Sequence, residues 1–455
     1  MDVIAALLGA LGDDVVDADP TDERFYGDWS DAPRQRPLAV VRPRSTYEVA
    51  TMLRVCHEHG QSVVTQGGLT GLAGAATPGA GDVVLNLERM SGIEEIDESA
   101  ATVTVRAGTV LSVVQETVAA RGFELAYDLG ARGSCQIGGN LATNAGGNRV
   151  LRFGMVREQV LGLEVVLADG TVVSSMHKML KNNAGYDIKH LFIGSEGTLG
   201  VITRAVLRLH PAPSARHTAL VAIESYEGVV EFLRHAQRVC GDITAFELMW
   251  PGFYAYMTTH GPLAAPLPVL DAMYVLVEMT GDGVDRFEAM LSDAVERGLL
   301  VDATVAQSAR DATHFWTIRE GEPIDRLPSV INFDVSLAIA DIGACAEECE
   351  RRILERWPDG HVFLFGHIGD SNLHLCVSIG KSSPSEQHGV DEIVYSTVRG
   401  FRGSVSAEHG IGTLKRDYLS YSRSPEELEV MRRMKAALDP TSILNPGKVL
   451  PVSGR

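Results

Sequence analysis

The chain has 455 residues, 22% of them charged and 45% hydrophobic, with 46 Gly, 19 Pro and 6 Cys. That length suggests two or three domains, each able to bury a full core, and the composition excludes a disordered chain, a collagen-like repeat and a disulfide-stapled miniprotein. A net charge of −19 repels phosphate backbones and anionic lipid, so neither nucleic acid nor a membrane surface is expected as the main partner.

The six cysteines (Cys56, Cys135, Cys240, Cys345, Cys349, Cys376) are scattered, with no CxxC. They read as reduced thiols of a cytoplasmic protein, not as a disulfide framework or a thiolate zinc site. At the N-terminus, MDVIAALLGALGDD has an acid where a signal peptide carries its basic residues, and reads as an amphipathic first helix. The longest uncharged run, 59–81, is full of Gly, Gln and Thr, so no transmembrane segment is expected.

From 37 to about 210, short apolar runs (LAVVRP, QSVVTQ, DVVLNL, ATVTVRAG, LGLEVVLADGTVV) alternate with helical stretches such as STYEVATMLRVCHEHG. Runs of this kind bounded by Gly, Asp or Pro are strand signals. They predict an α+β domain with mixed sheets over 1–212, closed by the Pro-rich boundary HPAPSARH. Over 213–420, HTALVAI, AFELMW, AMYVLVEMT, HVFLFGH and NLHLCVSI with intervening helices predict an antiparallel sheet with helices on one face. A helical tail, SPEELEVMRRMKAALDP, then TSILNPGKVL, occupies 421–455.

Three segments combine Gly and Asn with almost no charge: QGGLTGLAGAATPG (66–79), GSCQIGGNLATNAGGN (133–148) and GYDIKHLFIGSEGTLGVIT (185–203). None is a GxGxxG between strand and helix, so the usual dinucleotide fold is not supported. Any one of them alone reads as a turn. Three in one domain suit a pyrophosphate, because glycine lets the backbone approach a ligand and successive N–H groups form an anion-binding nest.

QGGLTGL, GSCQIGGNLATNAGG, GSEGTLGVIT and the terminal NPGKV closely resemble motifs of the flavoproteins related to vanillyl-alcohol oxidase, in particular the D-2-hydroxy-acid dehydrogenase branch with D-lactate, D-2-hydroxyglutarate and glycolate dehydrogenases. The resemblance spans about residues 25–450. It implies a vanillyl-alcohol oxidase-type FAD-binding domain whose loops hold FAD through Gln66, Gly67, Gly68, Leu69, Thr70, Gly71 and Leu72. Further FAD contacts are implied for Ser134, Gly138, Gly139, Asn140, Thr143, Asn144, Gly146 and Gly147, and for Glu196, Gly197 and Ile202. Asn445 resembles the family residue with which the tail returns to the flavin. Leu69 stands where relatives in this branch commonly have Asn, and where covalent flavoproteins often place His, so non-covalent FAD is expected.

FGHIGDSNLHLCV reads as a hairpin that can bring His367 and His374 onto one face, and SAEHGIG supplies Glu408 and His409. A lone histidine in an apolar strand is usually a hydrogen-bonded core residue. Two imidazoles and a carboxylate with an open position, however, make a catalytic metal site. The resemblance implies that His367, His374 and Glu408 bind a divalent ion, Zn²⁺ or Mn²⁺, that His409 is the general base, that Asn372 contacts substrate and that Arg319 pairs with the substrate carboxylate. Two positions depart from the D-2-hydroxyglutarate pattern: Pro323 replaces a Thr and Asn332 a Lys, so D-lactate or another neutral-tailed acid becomes comparable as substrate.

The expectation is therefore an FAD- and metal-dependent enzyme oxidising a small D-2-hydroxy acid and passing electrons to a quinone or electron-transfer protein. A homodimer is compatible with the sequence. The alternatives are a non-catalytic FAD-binding subunit of an electron-transfer complex, and a flavin oxidase using oxygen.

Overall fold

The structure is a computed structural model that describes residues 2–452. The chain forms two compact units, one of Met1–Gly147, Gly154–Ala212 and Glu408–Arg455, the other of Asn148–Phe153 and Pro213–Ala407.

The first unit contains two main sheets. Strands β1 (Ala39–Val41), β2 (Val63–Gln66) and β3 (Val83–Asn86) pair in parallel with β3 central, and are almost continuously buried, as parallel strands covered on both faces must be. Helix α1 (Thr46–His59) packs on them through Val49, Met52, Leu53 and Cys56, spaced along one helical face. Ser45 caps its start by accepting from the Glu48 N–H, and Gly60 ends it in the left-handed region. The second sheet is antiparallel: β4 (Ile93–Asp97), β5 (Thr102–Arg106), β6 (Val160–Val166), β7 (Val172–Ser175) and β8 (Val201–Arg208) lie in the order β4-β5-β8-β6-β7.

The tail is part of this unit. Leu444 forms a parallel bridge with Val63, and a Ser424–Glu427 capping box starts the helix Pro425–Leu438. The return begins at Glu408, ahead of the expected tail at 421. The buried Glu196 carboxylate explains why: it accepts from the Ile411 N–H at 2.7 Å and the Gly412 N–H at 2.8 Å, fixing that stretch to the first unit.

The second unit is built on one antiparallel sheet. Its strands are β9 (Arg216–Ile223), β10 (Ile243–Met249), β11 (Met273–Thr280), β12 (Asp302–Val305), β13 (Ile331–Ser336), β14 (His361–His367) and β15 (Asn372–Ser378). They run in the order β12-β9-β11-β10-β14-β15-β13. One face is covered by α2 (Tyr226–Cys240), whose Phe232 ring meets Phe246 of β10. The alternate residues of β10 and β14, Met249 and Phe365, point to the opposite face. There they pack with α3 (Pro251–His260) and α4 (Ala309–Glu320) in a core of Phe253, Met257, Phe315 and Ile318. Among the described residues no helix is long and apolar enough to cross a membrane.

Candidate active site

In the first unit the glycine-rich segments meet one another. A Cβ on Gly68 would lie 3.0 Å from Cys135 Cα and overlap the Ser134 carbonyl, so the QGGLTG and GSCQIGGN segments touch backbone to backbone. The Gln66 amide donates to the Phe25 and Ala76 carbonyls, both at 2.9 Å, and so shapes the loop from beneath. Leu69, Asn144, Glu196 and Asn445 all hold a positive φ, a conformation that costs energy without glycine and concentrates where a ligand site is built. Thr70, Gly71 and the exposed Leu72 follow on the same loop.

The chemistry of this unit fits FAD. Gln136 Oε1 and Thr65 Oγ1 are buried without a hydrogen-bond partner, and a Cβ on Gly139 would meet open space. Buried polar atoms of that kind call for a ligand to complete them. Nothing in the sequence marked Gln136 and Thr65 out, although Gln136 lies inside GSCQIGGN. Gly138 packs against Ala107, Asn140 is buried, and the Thr143 hydroxyl bonds back to the Gly139 carbonyl at 3.1 Å.

Asn445 is a clamp. Its Oδ1 accepts from the Thr65 N–H at 2.8 Å and its amide donates to the Glu196 carbonyl at 2.6 Å, while a Cβ on Gly197 would sit 2.9 Å from Asn445 Nδ2. Burial pushes the Glu196 carboxyl above its ordinary range, against two backbone N–H bonds and the nearby Lys415 and Lys448. The Ile202 side chain lies in the core of the second sheet. Gly146 and Gly147 carry a contact of their own: Glu408 Oε1 accepts from the Gly147 N–H at 2.9 Å, and a Cβ on Gly146 would overlap that oxygen.

In the second unit the hairpin forms as its sequence predicts. Strand β14 ends at His367, a short 3-10 turn spans Ile368–Asp370, Ser371 takes a positive φ, and β15 starts at Asn372. The His367 and His374 ring centroids lie 5.3 Å apart, edge to face, and Phe365 sits 5.1 Å from His374. Asn372 is buried; its amide donates to Asp334 Oδ1 at 2.8 Å, and its Oδ1 has no hydrogen-bond partner. Asp334, opposite His374 on β13, also accepts from the Ser406 hydroxyl and the Ala407 N–H. It thereby fixes the segment that runs directly into Glu408 and His409, the first residues of the returning chain.

Arg319, at the end of α4, is buried with its guanidinium 4.7 Å above the Phe365 ring. Its partner is Glu247 of β10, only 1% exposed, whose Oε2 lies 2.8 Å from Arg319 Nη2 and whose Oε1 lies 2.7 Å from His367 Nδ1. The Arg319 contact has the distance of an ion pair but not the angle of a hydrogen bond, so Nε and Nη2 keep their donor capacity. Burial would raise the Glu247 carboxyl, yet the His367 and Arg319 charges outweigh it and hold it below the ordinary range. Glu247 was missed from sequence; the available signal was a lone acid in the otherwise apolar run AFELM. Asn332 is exposed on β13, opposite Cys376, and Pro323 is buried at the start of the turn after α4.

Residues 37–175 match the FAD binding domain family, and residues 212–449 match the C-terminal domain of FAD linked oxidases. The chain is 40% identical over 432 residues to a mitochondrial D-2-hydroxyglutarate dehydrogenase of Bos taurus, covering 93% of this chain and 79% of that one. It is 37% identical over 444 residues to a D-2-hydroxyglutarate dehydrogenase of Xanthomonas citri pv. viticola, covering 95% and 93%. Among solved structures, p-cresol methylhydroxylase with bound substrate superposes with a TM-score of 0.79 at 17% identity, covering 99% of this chain and 96% of that one. A 4-ethylphenol oxidase from Gulosibacter chungangensis gives 0.74 at 19%, covering 99% and 97%. These two likenesses concern the fold.

Proposed function

Given that the chain belongs to the FAD-linked D-2-hydroxy-acid dehydrogenases of the vanillyl-alcohol oxidase-like superfamily, we propose that it oxidises a D-2-hydroxy acid to the 2-oxo acid at a site made of Arg319, Asn372, His367, His374, Glu408 and His409. The observation that carries this reading is Arg319: a buried guanidinium with unspent donors, beside a pair of imidazoles on the same sheet face. A planar fork of this kind suits a carboxylate.

Arg319 binds the substrate carboxylate and so orients the α-carbon. Asn372, its amide fixed on Asp334, presents an unpartnered Oδ1 as an acceptor for the substrate. His409 takes the hydroxyl proton as general base. His367, His374 and Glu408 are the ligand set for a divalent ion, Zn²⁺ or Mn²⁺, which when bound supplies the positive charge that lowers the pKa of the hydroxyl. FAD, non-covalently held by the glycine-rich segments, supplies the hydride acceptor. The electron acceptor proposed for the enzyme is a quinone or an electron-transfer protein, in a cytoplasmic setting.

D-2-hydroxyglutarate, named for the relatives above, and D-lactate are the first substrates to compare, because neutral Asn332 brings no charge for a second carboxylate. The test is anaerobic bleaching of the visible flavin band by a panel of D- and L-2-hydroxy acids, before and after EDTA. A D-acid should bleach the flavin, EDTA should abolish this and Zn²⁺ or Mn²⁺ restore it. Equal bleaching by both enantiomers, or bleaching indifferent to EDTA, would count against the reading.

A further inference from the structure

Glu247 has a place in the second unit that packing does not explain. It sits in the middle of β10 with Leu248 and Met249 buried beside it and Leu276 opposite on β11. A carboxylate taken out of water there is costly, and an apolar side chain of similar volume would hold the sheet at least as well. It touches two groups, and both belong to the reactive face: His367 Nδ1 at 2.7 Å and Arg319 Nη2 at 2.8 Å. The strand register makes the first contact unavoidable, since Glu247 and His367 are direct cross-strand partners. The second depends on α4, which brings Arg319 over the Phe365 ring on the same face.

Set 2.8 Å from the Arg319 guanidinium, the Glu247 carboxylate serves as an acceptor. Facing it, the His367 ring must carry its proton on Nδ1, which leaves the Nε2 lone pair as the ring's ligating atom. By the same contact the carboxylate holds one corner of the guanidinium and leaves the Nε side of Arg319 to bind something else. We infer that Glu247 is a positioning residue that sets the tautomer of His367 and the aim of Arg319 together, so that the metal side and the carboxylate side of the pocket answer to one buried group. This rests on the proposed reading of His367 as a ligand and Arg319 as the carboxylate receptor.

Glu247→Gln tests it. The amide keeps the shape, but its two ends differ. Its oxygen faces the Arg319 donors, so its NH₂ faces His367, and Nδ1 must then accept, moving the ring proton to Nε2. In FAD-loaded protein stripped with EDTA and carrying nitrogen-labelled histidine, at a pH where the ring is neutral, the wild-type His367 signal should show protonated Nδ1. The signal is identified by its loss in His367→Gln. Glu247→Gln should show protonated Nε2, and Glu247→Asp, which keeps the charge, should stay with protonated Nδ1. Zn²⁺ affinity measured by competition with a chromophoric chelator should fall about 10–100-fold in Glu247→Gln, as for other groups that orient a metal ligand. Binding of the 2-oxo acid, followed by the flavin spectrum, should weaken in parallel while FAD content stays at the wild-type level.

A wild-type ring protonated at Nε2 overturns the inference. So does a Glu247→Gln protein with unchanged tautomer and Zn²⁺ affinity whose only change is a lower melting temperature, since that is a purely structural salt bridge. If wild type binds no Zn²⁺ but Glu247→Gln still inverts the His367 tautomer, the metal reading fails and the role of Glu247 stands.

Discussion

If His367, His374 and Glu408 hold a divalent ion as proposed, replacing Gly146 with alanine should weaken binding of that ion while leaving the flavin. The residue is buried, and a Cβ there would stand 3.0 Å from Glu408 Cδ and closer still to Oε1. Ordinary carbon contacts begin at about 3.5 Å, so the carboxylate must swing away by roughly half an ångström or more. That movement breaks the 2.9 Å bond from the Gly147 N–H to Oε1. A hydrogen bond to a charged group is worth about 1.5–3 kcal/mol, which corresponds to a ~10–100-fold loss of affinity for an ion that needs Glu408 in place. The fold has a cheap escape, because the obstructing atoms belong to the end of a flexible side chain. The assay is chelator competition for Zn²⁺, read beside FAD content and turnover. Gly146→Ala with wild-type metal affinity, or with full turnover, would refute the coupling of the glycine-rich loop to Glu408. Loss of FAD in the same variant would show that Gly146 serves the cofactor directly.

Asn445→Ala removes both hydrogen bonds of the clamp on Thr65 and Glu196; at about 1 kcal/mol per bond, thermal unfolding should move down by several degrees, with weaker FAD retention on gel filtration. Asn332→Lys places a cation on β13 where the chain is neutral and exposed, and kcat/KM should shift toward a dicarboxylate over D-lactate by about tenfold; an unchanged ratio would place the side-chain subsite elsewhere. Acid precipitation of the holoenzyme should leave a yellow supernatant, because Leu69 offers no atom for a covalent flavin link; a yellow pellet would contradict this. Arg319→Lys should raise KM for the acid and weaken 2-oxo-acid binding more than it lowers melting temperature, since a point charge replaces the fork.

What could be read from the residue string alone was local. HxGDxNxH places two histidines on adjacent strands because a tight turn fixes which residues share a face, and both rings do so. The strands and helices of the second unit follow from short apolar runs and helix caps of the same local kind. The covering helices were less legible: α3 and α4 lie on the face opposite α2, because the strands bury both faces and apolar runs buried on both sides do not announce which helix takes which. Contacts between residues far apart in sequence were not legible at all. Glu247 meets His367 across 120 residues, and Gly147 meets Glu408 across 261. Nothing near Glu247 in the string marks it except the oddity of an acid among apolar neighbours. The return at Glu408 was hidden for the same reason, since the Glu196 carboxylate that anchors it lies 215 residues earlier. Arg319 and Asn445 were singled out through family resemblance alone, whereas the glycine-rich loops were marked first by their uncharged Gly and Asn pattern and then by the resemblance.

The interrupted course of the first unit also sets a schedule for its synthesis. Strand β2 is completed by Leu444, and its end is clamped by Asn445, so a sheet begun at Val16 waits for residues 444–445. At roughly 5–20 residues per second, on the order of ten to fifty seconds pass between translation of residue 212 and arrival of the closing segment. During that interval the second unit, continuous from Pro213 to Ala407 apart from one short excursion, can fold alone, while the nascent flavin cradle stands open. Flavin is therefore met by a chain that has already reached Asn445, and a message truncated just before Leu444 would yield a protein with every glycine-rich loop present and no place to keep its colour.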